Sequence, residues 1–120
     1  MLPGTPFGLG HQHYTNARRL IGLGGALALA SDLNPGTSWC ESMQFIVALA
    51  CRYLKLTPGE AINAATINAA HALGLGAYVG SLEVGKQADL LVLDIPDYRH
   101  LGYRYGTNLV ETVIKRGSVV

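Results

Sequence analysis

The residues best suited to chemistry sit in one short stretch. An apolar run, Ala26 to Ala30, stops at Ser31-Asp32, and Leu33-Asn34-Pro35-Gly36-Thr37-Ser38 follows. A short buried strand that delivers a carboxylate at its C-terminal end, followed by a polar loop, is how parallel α/β sheets and barrels present a reacting group. Asp32 is therefore a candidate metal ligand or catalytic carboxylate, and Asn34 to Thr37 a candidate substrate-facing loop. The same residues also suit a plain turn, because a short carboxylate before Pro-Gly-Thr-Ser bonds nearby backbone N–H groups.

Other titratable groups have structural readings beside their chemical ones. His11-Gln12-His13 has the spacing of a metal-binding pair, since at a strand end both imidazoles would share a face. Here only a Gly/Pro loop precedes it, so a solvated or substrate-edge loop is expected. Glu41 stands three residues after Ser38, the pattern of a capping box. His71 falls near the end of an Ala-rich helix, where an imidazolium complements the dipole. Cys40 and Cys51 bracket one helix about 16 Å apart at 1.5 Å per residue. That is too far for a disulfide, and two unpaired thiols suit a reducing cytoplasm.

The elements that must position these groups follow from periodicity. Met1 to Gly10 reads as a loop without periodicity. Thr15 or Asn16 caps a helix to about Gly22, with Ala17, Leu20, Ile21 and Leu23 apolar. Ala26 to Ala30 then reads as a buried strand, one αβα step of a parallel fold. Met43, Ile46, Val47, Ala50, Cys51 and Leu54 form one helical stripe from about Cys40 or Glu41 to Leu54, with Ser38 as N-cap. Thr57-Pro58-Gly59-Glu60 is a second capping box, opening a helix from Pro58 to Leu73. From Val79 the character turns to β. Leu90 to Leu93 reads as a strand buried on both faces, Val110 to Ile114 as another, with Arg116-Gly117 turning into Ser118-Val119-Val120.

Composition narrows the class. The 120 residues are 49% hydrophobic and only 14% charged, against roughly 25% charged in ordinary soluble domains. Such a chain is expected to bury part of its surface against something else. A net charge of +1, with the basic residues scattered, argues against nucleic acid. The most apolar stretch, Leu20 to Ala30, is short and glycine-rich, so no transmembrane helix is expected. The chain opens in a loop and stops in a strand, which suggests a piece of a longer protein.

Two blocks carry a family resemblance. Ala65-Thr66-Ile67-Asn68-Ala69-Ala70-His71-Ala72-Leu73-Gly74 and Gly80-Ser81-Leu82-Glu83-Val84-Gly85-Lys86-Gln87-Ala88-Asp89-Leu90-Leu91-Val92-Leu93-Asp94 resemble the C-terminal signature of the metal-dependent amidohydrolase superfamily. Ser31 to Ser38, Cys40-Glu41-Ser42-Met43, Pro96 to Leu101 and Tyr103 to Asn108 resemble, more narrowly, its imidazolonepropionase family. The resemblance covers about Leu2 to Val120.

It implies an α/β fold: the C-terminal part of a (β/α)8 barrel of TIM type in residues 1–78, with attached strands of a small β-sandwich in 79–120. The implied reaction is metal-assisted hydrolysis of the cyclic amide of 4-imidazolone-5-propanoate to N-formimidoyl-L-glutamate. Asp32 would ligate one Zn or Fe ion and accept a proton from water. Asn34 and Gly36 would contact the acyclic product-like group, and Thr37 the ring. A small-molecule substrate, no nucleic acid, no membrane, a homo-oligomer and a cytoplasmic location are implied with it. The family's strand-one His-x-His and further histidine ligands have no match here, and His11-Gln12-His13 lies before the last barrel helix. One carboxylate cannot hold a catalytic zinc that needs about three protein ligands, so the chain alone is expected to be inactive. Two other readings stand beside this one: a non-catalytic fragment that associates with itself or a partner, and part of another cyclic amidohydrolase.

Overall fold

The computed structural model describes residues 1–120. Helices come first and strands last: α1 (Gly4–Gly8), α2 (Ala17–Gly22), α3 (Met43–Tyr53), α4 (Pro58–Ala65), α5 (Ile67–Ala72), β1 (Leu90–Leu93), a 3-10 turn at Tyr98–Gly102, β2 (Val110–Lys115) and β3 (Ser118–Val119).

Helix α3 is the centre of the core. Ile46, Val47, Ala48, Leu49 and Ala50 are all buried. The predicted stripe supplies Ile46, Val47, Ala50 and Leu54 to the core, where they meet Ala17, Leu27, Leu29, Leu56, Ala61 and Ala64. Met43, expected in the core, is 37% exposed, whereas Ala48 and Leu49 are buried off the stripe. The helix is covered from more than one side, by α4 and by the Tyr98–Gly102 turn, so its apolar surface is wider than one stripe. Its N-cap is Ser42, whose hydroxyl accepts from the Phe45 N–H at 3.2 Å. The expected Ser38–Glu41 box does not form. Ser38 is buried, and its hydroxyl donates to the Ser31 carbonyl at 3.0 Å, so the cap falls to the next serine. Cys40 and Cys51 are both free thiols.

The Thr57–Glu60 capping box does form in both directions, with Pro58 in the first turn. The Glu60 carboxylate also takes Arg18 from α2 at 2.7 Å. That bond, with those from Thr57, holds its carboxyl below the ordinary value. The helix expected from Pro58 to Leu73 is two helices. Thr66 breaks it with φ −120 and ψ −94, and its hydroxyl donates back to the Ile62 carbonyl at 2.7 Å. Threonine bonding one turn back bends helices. The break frees the Ala64 carbonyl to accept the Leu29 N–H at 2.9 Å. Just beyond it the Asn68 amide donates to the Leu27 carbonyl at 2.9 Å.

These two bonds explain a second correction. Residues Ala26–Ala30 are extended and bury Leu27 and Leu29, but they form no ladder. Part of the strand's backbone bonding is taken by the α4–α5 break. Only Met1 lies alongside: its amino group donates to the Ala28 carbonyl at 2.6 Å, and the Ala30 N–H donates to the Met1 carbonyl at 3.2 Å. Met1 to Gly10 is not all loop, since residues Gly4–Gly8 make α1.

The C-terminal strands form one antiparallel sheet in the order β1-β2-β3. Leu90 pairs with Ile114 and Val92 with Thr112, and the register slips between Val92 and Leu93. Arg116 and Gly117 both have positive φ, 52° and 81°, as a two-residue hairpin turn matched to strand twist requires. Asp89 clasps this turn, accepting from Lys115, from Gln87 and from the Arg116 N–H. β1 is not buried on both faces: Leu91 is 54% exposed and Val92 40%. No helix is long and apolar enough to cross a membrane. The accessible surface is 7728 Å², against about 6,200 Å² for a folded monomer of this mass. The excess is roughly twice the 800 Å² that one partner of a standard protein interface buries.

Two outcomes follow. Ile46 is fully buried, so Ile46→Ala is expected to destabilise the chain by about 3 kcal/mol, read as a lower Tm by calorimetry. Asp89 is held at about 2, below its ordinary 3.8, chiefly by Lys115. A depressed carboxyl stabilises the fold above its unfolded value and loses that contribution as pH falls through the folded one. Exchange of the Arg116 amide is expected to quicken as pH drops from about 4 to about 2, relative to its intrinsic rate. Asp89→Asn abolishes that dependence.

Candidate functional site

The extended run Ala26–Ala30 ends in a tightly bonded corner. Asp32 lies in the left-handed region at φ 52°, a conformation that aspartate tolerates better than most residues. It redirects the chain into a loop closed by Asn34 and Ser38, which exchange backbone bonds of 3.0 and 3.3 Å. Asn34 holds the loop's interior. Its Oδ1 accepts from the Gly36 N–H at 3.0 Å and the Thr37 N–H at 2.9 Å. Its Nδ2 donates to the Asp32 carbonyl at 2.6 Å and to Thr37 Oγ1 at 3.0 Å. The turn chemistry and the candidate chemistry therefore occupy the same residues. Pro35 and Gly36 are exposed at the tip, and Asn34 and Thr37 are half-buried.

The Asp32 side chain is half-buried and reaches back to α1. Thr5 Oγ1 donates to Asp32 Oδ2 at 2.6 Å, and no hydrogen bond reaches Oδ1. This contact depends on two glycines one helical turn apart. A Cβ on Gly4 would stand 2.7 Å from Ser38 Oγ and 3.2 Å from the Ser31 carbonyl oxygen. A Cβ on Gly8 would stand 2.3 Å from the Thr37 carbonyl oxygen. Only bare backbone lets α1 sit this close to residues 31–38.

Asp32 and Thr5 open into a cleft of about 450 Å³ that His13 and Tyr14 also line. Tyr14 stacks on Tyr53 with ring centroids 4.4 Å apart. Burial, and secondarily Tyr53, push the Tyr14 phenol above its ordinary value. The structure thus brings His13 to the cleft of Asp32, and not His11. Asn34, Gly36 and Thr37 do not line this cleft; they adjoin Asp32 through the backbone. Nowhere do three or more His, Cys, Asp or Glu side chains converge on one point. Of the donor types a metal site uses, this cleft offers the Asp32 carboxylate, hydrogen-bonded at Oδ2 by Thr5, and the His13 imidazole.

The aromatic-basic segment after Asp97 folds back on α3. Gln44 Nε2 donates to Asn108 Oδ1 at 2.7 Å, and Gln44 Oε1 accepts from the Leu109 N–H at 3.0 Å. The Arg52 guanidinium lies 5.9 Å from the Tyr105 ring centroid. Arg99 holds the Asp97 carboxyl at about 2. A broad open depression of about 770 Å³ lies between Trp39, Gln44 and Tyr105. Thr5 carries no periodic signal, because the five residues of α1 are too few to show a period. The Gly4–Gly8 spacing was the available signal.

Known proteins share this sequence and shape. The model of the amidohydrolase family matches residues 9–120. An imidazolonepropionase of Herpetosiphon aurantiacus is 61% identical over 119 residues, 99% of this chain and 28% of that protein. The chain thus spans little more than a quarter of the length of this curated relative. Guanine deaminase of E. coli shares the fold with a TM-score of 0.80 at 20% identity, over 100% of this chain and 33% of that one. An adenosine deaminase from Xanthomonas campestris with bound zinc gives a TM-score of 0.76 at 26% identity, over 98% of this chain and 30% of its own. On the match across residues 9–120, the chain belongs to the amidohydrolase family.

Proposed function

We propose that this chain is the C-terminal part of a hydrolase that opens the cyclic amide of 4-imidazolone-5-propanoate with water, giving N-formimidoyl-L-glutamate. Residues 1–78 would be the end of a (β/α)8 barrel, and 79–120 strands of a small β-sandwich. The observation that carries this reading is Asp32: a carboxylate at the end of a buried extended segment, with one oxygen held by Thr5 at 2.6 Å and a rigid polar loop directly after it. The 61% identity to an imidazolonepropionase supports the substrate class.

In this reading Asp32 would ligate one Zn or Fe ion and would accept a proton from the attacking water. The ion, when bound, supplies Lewis acidity and lowers the pKa of water. Asn34, Gly36 and Thr37 contact the small-molecule substrate, with Asn34 also fixing the loop that presents the other two. No convergent set of ligands exists within the chain, so the ion's other ligands come from elsewhere in the complete enzyme. That enzyme would be a cytoplasmic homo-oligomer.

A second reading is a non-catalytic piece that associates with itself. It is supported by the surface excess and by exposed apolar side chains such as Leu82 at 79%, Leu73 at 75% and Trp39 at 75%.

Assays of substrate loss separate the two. Asp32→Asn in the complete enzyme is expected to lower kcat by about a hundredfold or more; full activity in that variant would refute the catalytic reading. The 120-residue chain with added zinc is expected to show no turnover. Sedimentation of the same chain tests the second reading, which predicts a defined mass above the 12.7 kDa monomer.

A further inference from the structure

We propose that Thr5 is a positioning residue for Asp32, fixing the carboxylate for a divalent cation. This rests on the reading of Asp32 as a metal ligand. The contact itself stands without it: Thr5 Oγ1 lies 2.6 Å from Asp32 Oδ2, within the short range of hydroxyl–carboxylate bonds.

Three features make it more than a chance surface contact. Thr5 sits on α1, which Gly4 and Gly8 seat directly against residues 31–38, so the hydroxyl's position is set by backbone packing. Asp32 has its own backbone fixed in the left-handed region, at φ 52°, and its carbonyl is held by Asn34 Nδ2 at 2.6 Å. Both partners are therefore built in place before any ligand arrives. Last, the only side-chain hydrogen bond to the carboxylate is the one to Oδ2, and Asp32 lines the same cleft as His13.

The chemical type of the partner matters. A lysine or arginine at this place would neutralise the carboxylate and weaken its pull on a cation. A threonine hydroxyl is a neutral donor. It orients the group and leaves the negative charge for the ion, the role that outer hydrogen bonds play at metal-ligating carboxylates.

The test uses the complete enzyme and zinc alone as probe. Thr5→Val and Thr5→Ala remove the donor, and Thr5→Ser keeps it. Zinc affinity is measured by competition with a chromogenic chelator, beside the Tm of each metal-free variant and the kinetics of substrate loss. Both donor-less variants are expected to bind zinc about tenfold to a hundredfold more weakly, with a fall in kcat larger than any change in KM. Serine is expected to restore affinity and kcat. If Thr5→Val and Thr5→Ala lower the metal-free Tm but leave zinc affinity unchanged, the bond is structural only and the proposal is overturned. Should valine prevent folding, alanine against serine gives the same comparison. Asp32→Asn distinguishes the two levels. Zinc lost on Asp32→Asn but kept on Thr5→Val refutes the role of Thr5 alone. Zinc retained on Asp32→Asn refutes both.

Discussion

The close seating of α1 on residues 31–38 is the contact around which this molecule is arranged. Gly4 and Gly8 remove the side chains that would hold the two backbones apart. Ser38, buried, ties its own loop to Ser31 at 3.0 Å, and Ile46 of α3 packs beneath Gly4. The corner at Asp32 is thereby clamped from the helix on one side and from Asn34 on the other. A strained φ at a non-glycine residue costs on the order of 1 kcal/mol and persists only where its surroundings overdetermine it. Here they do, with bonds to both the side chain and the backbone carbonyl of Asp32.

The helical body is organised so that this corner has a firm base. Leu27 and Leu29 anchor the extended run in the core against α3 and α4. The break at Thr66 gives that run hydrogen-bond partners, through Ala64 and Asn68. A continuous helix from Pro58 to Leu73 would have kept the Ala64 carbonyl for its own ladder. The kink is thus the means by which two elements distant in sequence share backbone bonds. The sheet is held differently, by strand pairing, by the Arg116–Gly117 turn and by Asp89 at its corner. Its apolar residues remain open, which agrees with a surface larger than a free monomer of this mass exposes.

Much was legible in the residues alone. The Thr57–Glu60 cap, the stop after Gly22 and the Arg116–Gly117 turn rest on interactions between neighbours in the chain, and the strands at Leu90 and Val110 on their own apolar pattern. Asp32 and the turn after it were legible for the same reason, as was the stripe of Ile46, Val47, Ala50 and Leu54. The family pattern covering nearly the whole chain was legible as well. Where the expectation failed, a partner outside the pattern competed. Ser38 lost its cap to the Ser31 carbonyl, the helix after Pro58 broke at Thr66, and residues 26–30 bonded to the α4–α5 break and to Met1 instead of forming a ladder.

The sequence by itself determined the local elements, because caps, turns and helical stripes depend on groups within four residues of one another. It also determined that a carboxylate follows an apolar run. Only the tertiary structure decided that Thr5 would meet Asp32, and that His13 and not His11 would share its cleft. Those outcomes depend on how closely two backbones approach, and that distance is set by packing between segments 27 positions apart in the chain, which no short-range pattern encodes.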